Sequence, residues 1–473
     1  MNNYQVTIGI EVHAQLNTKR KIFSPAFNNM HDTPNKNVHP IDLALPGTLP
    51  IFNEEVLEKA ILIASAFNMN ITHEMSWDRK NYFYHDNPKG YQVTQYRTPI
   101  GTKGSIVLDN NKYIGVAFMH MEEDTAKSNH KEDKTYLDYN RAGIPLVEIV
   151  SEPDISNKEE AKVYLEKLRE ILLYLNVSDC KMEDGSLRVD VNVSIRPVGQ
   201  EKLNTKVEIK NLNSFSNVQK AIDLEIADQT LKYNTGKEVL ECTKRYLESS
   251  NSLELMRLKD GTDTYRFIPE PDLSPIKLNE EYINDKLTNM PLLPSQIVEK
   301  LKSLRIPEDD IVNLMKDKDM TLFYLELIKE DIDPIFVINN LLGSIKDYLN
   351  QKSINFNNLQ ISNKHFIDLW TKFNAEVINS GHVKKILAIV CDTNQEVQDI
   401  IDQHNLKQLS DASEIRTIIL KVLNANEKII NDYNSGNERA LKSLMGQVMK
   451  ESKGLANPKI VNENLKEELE KRK

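Results

Sequence analysis

"TIGIEVHAQL", Thr7 to Leu16, is the stretch whose reading decides the fold. Tyr4, Val6, Ile8, Ile10, Val12, Ala14 and Leu16 recur at period two, with Gln5, Thr7, Gly9, Glu11, His13 and Gln15 between them. That alternation predicts a strand with one face in a core and one face polar. Glu11 and His13 then share the polar face, roughly 6.5 to 7 Å apart along the strand. The pattern alone fits a wetted strand face as well as one side of a cation or substrate site.

Similar strands recur further along. "LRVDVNVSIR" sets Leu187, Val189, Val191, Val193 and Ile195 against Arg188, Asp190, Asn192, Ser194 and Arg196, and "TKVEIKN" sets Val207 and Ile209 against Lys206, Glu208 and Lys210. Between the strands lie helical patterns. "NEEVLEKAILIASAFNM" opens on Asn53 as a cap, and "SNKEEAKVYLEKLREILLYL" places Ser156 and Glu159 as a capping box. Strands in this number with helices inserted predict an α+β domain built on a largely antiparallel sheet. Past "NMPLLPSQ" the chain reads as successive amphipathic helices, so a boundary is placed near 291. The expected division is 1–291 as a mixed β domain with helices, 292–405 as an all-α domain and 406–473 as a small helical tail.

The chain has 473 residues, a net charge of −10 and three scattered cysteines, Cys180, Cys242 and Cys391. No C-x-x-C pair is present, which excludes a disulfide framework and a cysteine zinc site as expectations. No apolar run reaches the ~18 residues of a membrane span, and "MNNYQVTIGI" carries no export or transit pattern, so the expected location is the cytoplasm, with no membrane partner. The acidic balance argues against a general nucleic-acid binder. Arg439 to Lys473 nevertheless holds nine Lys/Arg against five acids, a local surplus of +4.

Further chemistry-bearing residues cluster in the first domain. In "HMEED", His120 to Asp124, alternation puts His120 and Glu122 on one face and Glu123 on the other, without saying which points inward. Carboxylates and one imidazole spread over several strands suit a hard divalent cation. "DRKNYFYHDNPKGYQVTQY" crowds aromatics with Arg79 and Lys80 around an Asn-Pro-Lys-Gly turn. Such a stretch either pairs across a hairpin or stacks on a nucleotide. No P-loop, Rossmann glycine set or G-x-S-x-G elbow occurs, and no Gly/Ser-rich amidase segment. Nucleotide chemistry here is therefore non-P-loop, and any ammonia-releasing step belongs to another chain.

In order, "IGIEVHAQL", "DRKNYFYHDNPKGYQ", "HMEEDTAKS", "DYNRAGIPLVEIVSEPD", "GSLRVDVNVS", "EIKNLNSF", "YRFIPEPDL" and "GQVMKESKGLANPKIVNENL" resemble the B-subunit family of the aspartyl/glutamyl-tRNA(Asn/Gln) amidotransferases. The resemblance implies a β cradle, a helical domain and a YqeY-like tail. It also implies ATP-dependent phosphorylation of the side-chain carboxylate of Glu-tRNA(Gln) or Asp-tRNA(Asn), followed by amidation. Implied partners are the glutamine-hydrolysing amidase and the small third protein of a heterotrimer, together with the tRNA. Implied cofactors are ATP as substrate and Mg²⁺. Carried over by matching blocks, Glu11, His13, Glu123, Asp190 and Glu208 are implied metal ligands. Lys80, Arg141 and Lys210 are implied phosphate contacts, with Tyr82 orienting the aminoacyl-adenosine end. Lys442, Lys450, Lys453 and Lys459 are implied tRNA contacts. Where relatives carry Cys-Pro-x-Cys this chain has "NVHPIDLALPGTLP", so structural zinc is not expected. Two other readings are an inert tRNA-binding scaffold and a free-standing metal-dependent phosphotransferase.

Overall fold

The computed structural model describes residues 3–259, 265–409, 411–435 and 437–472. Ser410, Gly436 and part of the "MRLKDGTDTYRF" block lie outside them. The chain forms two compact units, Met1–Gln296 and Ile297–Lys473.

The first unit is built on a nine-stranded sheet. Its order is Ser252–Leu258, Cys242–Leu247, Val207–Leu212, Leu187–Pro197, Tyr4–Gln15, Pro145–Ser151, Tyr113–Glu123, Gly101–Val107 and Asn70–Ile71. The opening strand is thus the middle of the sheet. It pairs antiparallel with Leu187–Pro197 on one side and Pro145–Ser151 on the other. One pairing in the sheet is parallel, Val207–Leu212 with Cys242–Leu247. The helix Phe215–Asn234 makes the crossover that a parallel pair requires.

Alternation decides which face is dry. Ile8, Ile10, Val12 and Ala14 are fully buried, in one core with Val189, Val191 and Val193 from the neighbouring strand. Helices Glu54–Ala66, Lys158–Tyr174 and Phe215–Asn234 contribute Ile61, Leu165, Leu168 and Ile222 to that core. The opposite face keeps its polar residues. Asn53 caps the first helix as expected, its side chain accepting from Glu55 N–H at 3.1 Å. The second helix starts one residue later than the Ser156/Glu159 reading: Asn157 accepts from Glu160 N–H at 2.8 Å, and the Glu160 carboxylate accepts from Ser156 N–H at 2.8 Å. Asn caps as well as Ser, so the cap moves one position on, while Glu160 reaches the N–H of the residue before it rather than closing a box.

The aromatic-rich stretch is a hairpin, Asp78–Asn81 paired with Tyr91–Thr94. Gly90 closes its loop at φ +71°, a left-handed conformation that costs glycine nothing. Arg79 is bonded to Glu270 at 2.7 and 2.9 Å and lies over the Tyr91 ring. Both are intramolecular contacts, as the cross-strand reading expects.

The second unit is helical. Residues from 409 onward carry a core of their own, with Ile415, Ile419, Leu423, Leu444, Val448, Leu465 and Leu469 packed together. Lys442, Lys450, Lys453 and Lys459 are all exposed on this segment.

Candidate active site

Strand register assembles the site. Glu148 stands opposite His120 on one neighbour and His13 on the other. Glu11 stands opposite Asp190, and Glu208 sits one strand further out, opposite Asn192. Directly opposed side chains lie within about 5 Å of one another, so these rows bring polar groups from five strands to one patch. Over the patch lies a cavity of about 980 Å³, whose walls include Lys80, Tyr82, Tyr265 and Phe267.

The acids form two groups. In the first, His13 Nε2 lies 3.5 Å from Glu122 Oε1 and 3.6 Å from Glu148 Oε2. His120 Nε2 is 2.6 Å from the same Glu148 oxygen. In the second, oxygens of Glu11, Asp190 and Glu208 all fall within 4.8 Å of one another. Asn192 Nδ2 donates to Glu11 at 2.9 Å. Lys210 Nζ donates to Asp190 at 2.6 Å and lies 3.1 Å from Glu208. Thr243 Oγ1 donates to Glu208 Oε2 at 2.6 Å, and Lys259 Nζ lies 3.0 Å from that oxygen.

Electrostatics separate these acids. Burial, then the charge of Glu148, push the Glu11 carboxyl above its ordinary range; Asp190 and Glu208 add to this and Asn192 opposes it. Burial also acts to raise Glu208, but Lys210, Thr243 and Lys259 outweigh it and hold that carboxyl at about 2. Glu148 likewise overcomes burial through His120 and His13 and titrates far below the carboxylate range. His120, pushed down by burial, is lifted above its ordinary value by Glu148 and Glu122. Burial keeps the Tyr82 phenol protonated well past its ordinary range.

The donor chemistry fits a hard divalent cation: converging carboxylate oxygens with imidazole at one edge. A structural sign agrees. Glu122 is 2% exposed, and among the described residues its Oε2 accepts no hydrogen bond, His120 Nε2 standing 3.9 Å off, an arrangement that leaves a buried acceptor for a cation. The raised Glu11 carboxyl sets a test. Its proton competes with a cation, so divalent-cation binding here is expected to release protons and to tighten as pH rises through the Glu11 titration. Calorimetry in two buffers of different ionisation heat reads the release. Cation binding with no proton release anywhere below neutral pH contradicts the role of Glu11.

Of the residues singled out in the sequence, Glu11, His13, Asp190, Glu208, Lys80, Tyr82 and Lys210 line this one cavity. Glu123 and Arg141 do not. Glu123 is buried on the other face of its strand, in an ion pair with Lys89, and accepts from Val93 N–H at 2.8 Å. Strict alternation places Glu122 at the cavity instead. Arg141 donates to the carbonyls of Thr125 and Ala126, each at 2.8 Å, and fastens a loop. Glu148 and Lys259 were not singled out in the sequence, and His120 and Glu122, noted there within "HMEED", were not in the ligand set that the resemblance implied. For Glu148 the signal was available: it is the only charge in the apolar run "PLVEIV".

Comparison with known proteins adds an independent finding. Residues 6–284 match the family described as the GatB/GatE catalytic domain, and residues 322–469 match the GatB domain of the YqeY type. The chain is 43% identical to the B subunit of the aspartyl/glutamyl-tRNA(Asn/Gln) amidotransferase of Oceanobacillus iheyensis, over 99% of this chain and 100% of that one. It is 41% identical to the proteins of the same name from Staphylococcus saprophyticus (99% and 100%) and Limosilactobacillus reuteri (99% of each).

Proposed function

The chain belongs to the GatB family of amidotransferase B subunits, and from that membership we propose that it activates the side-chain carboxylate of Glu-tRNA(Gln) or Asp-tRNA(Asn) with ATP, for amidation by ammonia. The observation that carries this reading is the meeting of two acid groups with Lys80, Lys210 and Tyr82 in one cavity large enough for a nucleotide and an aminoacyl end. In the reaction a carboxylate oxygen of the substrate attacks the γ-phosphorus and ADP leaves. Ammonia then attacks the acyl carbon of the resulting acyl phosphate, and inorganic phosphate departs with that oxygen. Phosphate is a competent leaving group where oxide is not.

Each residue has a task in this scheme. Glu11, Asp190 and Glu208, with His13, Glu122 and Glu148 beside them, would hold Mg²⁺, which when bound neutralises phosphate charge. Lys80, whose Nζ lies 4.8 Å from the centre of the Tyr265 ring, reaches the cavity as a phosphate contact. The protonated Tyr82 hydroxyl is a donor for the aminoacyl-adenosine end. Ammonia comes from a separate glutamine-hydrolysing amidase, and a small third protein completes the heterotrimer. Residues 1–291 form the catalytic cradle, 292–405 a helical domain and 406–473 a tRNA-binding tail. Among the described residues no helix is long and apolar enough to cross a membrane, and the setting of this chemistry is the cytoplasm.

The direct test is ATP turnover by the reconstituted complex. ADP formation is expected to require misacylated tRNA and to cease when Gln-tRNA(Gln) replaces Glu-tRNA(Gln). Equal turnover without tRNA overturns the proposal. For the tail, Lys442, Lys450, Lys453 and Lys459 are exposed, and no ion pair among the described residues engages them. Changing all four to alanine is expected to lower tRNA affinity and to flatten its log–log salt dependence by about 3 to 4 units, roughly one per phosphate contact. An unchanged slope in filter binding removes the tail from the interface.

A further inference from the structure

We infer that Lys210 and Lys259 are resident counter-ions of the Glu11–Asp190–Glu208 group, which a divalent cation displaces and so frees to grip phosphate. The inference rests on the proposed reading of the cavity as a phosphoryl-transfer site, and assigns Lys259 a role there. Lys210 Nζ lies 2.6 Å from Asp190 and 3.1 Å from Glu208, and Lys259 Nζ lies 3.0 Å from the other Glu208 oxygen. Two of the three acids are thereby neutralised by the protein's own cations; Glu11, bonded to the Asn192 amide, has no such partner among the described residues. Both lysines line the same cavity, with side chains 36% and 26% exposed, so each has open space into which its stem can swing.

Displacement follows from charge and geometry. A divalent cation concentrates two charges and gathers several oxygens at once, whereas an ammonium offers one charge and three donors. Neither lysine can keep its place on the same carboxylate oxygens beside such an ion, because like charges at that range repel strongly. Freed ammonium groups in this cavity find their best partner in a phosphate oxygen. Cation and phosphate then load cooperatively, each tightening the other by the same factor.

The test uses the full-length chain and Mn²⁺ alone as probe. In a titration followed by electron paramagnetic resonance, Lys210→Met and Lys259→Met are each expected to tighten Mn²⁺ by about fivefold or more. The same variants are expected to bind Mg²⁺–ATP correspondingly more weakly. Lysines that merely prop the acids in place would weaken both. A second readout needs no variant: Mn²⁺ should raise chemical acylation of Lys210 and Lys259 several-fold in the wild-type chain, and Mg²⁺–ATP should suppress it again. Lys112, held by Glu160 at 2.6 Å outside the cavity, should not respond. Mn²⁺ binding with unchanged acylation of both lysines overturns the inference, as does unchanged or weaker Mn²⁺ binding in both variants. A chain that takes up no Mn²⁺ in any form overturns it together with the cation reading. Failure of tRNA-dependent ATP turnover alone would leave the lysine exchange standing and remove only the assigned reaction.

Discussion

Glu11→Gln is expected to lower amidation by the reconstituted complex by about 10²- to 10³-fold, the scale on which a single preorganised electrostatic contact to a reacting group acts. Glu11 belongs to one acid group, feels Glu148 of the other, and has no cation of its own among the described residues. Glutamine keeps the shape, and its amide oxygen still accepts from Asn192, so what is lost is the charge. Stability should not suffer. A carboxyl raised in the folded state is unfavourable to folding once pH exceeds its unfolded titration range, so removing the charge leaves the melting temperature unchanged or raises it. The variant should retain tRNA binding, because its lesion lies in the cavity. Full activity would refute the assignment, and a large drop in melting temperature would make Glu11 structural.

Lys89→Met is expected to cost the fold about 3 to 5 kcal/mol, the usual consequence of leaving one member of a buried ion pair behind. Glu123 is 4% exposed and burial already pushes its carboxyl up, against the pull of Lys89 and of the Val93 N–H. The deficit should shrink as pH falls, because an unpaired Glu123 then takes a proton. Adding Glu123→Gln should recover most of the loss. Urea midpoints of the four forms, wild type, two singles and the double, measure this coupling. If Lys89→Met were harmless while Glu123→Gln abolished cation binding, Glu123 would return to the ligand set.

These two residues also mark how far the sequence alone reaches. Glu11 and His13 were legible because period-two alternation is a local property of the chain: Ile10 and Val12 had to be buried, so the two polar side chains had to face away. That Leu187–Pro197 is a strand with one dry face was legible for the same reason, though its place beside the first strand was not. Which acids complete the patch was not. His120, Glu122 and Glu148 arrive through a register set by pairing across the sheet, between residues far apart in sequence. Periodicity along "HMEED" does separate Glu122 from Glu123, but only the partner strand reveals which face is the cavity. Lys259 is less legible still, since it stands just past an exposed edge strand with no pattern pointing inward. Arg141 was misleading because an arginine beside Gly-Ile-Pro looks the same whether it meets phosphate or, as here, two backbone carbonyls.

That this cavity moves a phosphoryl group onto a carboxylate carried by tRNA is tested most directly with an isotope. The side-chain carboxylate of Glu-tRNA(Gln) is labelled with ¹⁸O, and the phosphate released during amidation by the complex is analysed. Attack of the carboxylate on the γ-phosphorus, then departure of phosphate from the acyl carbon, predicts one ¹⁸O in each phosphate formed. Phosphate free of ¹⁸O, with amidation proceeding normally, would contradict it.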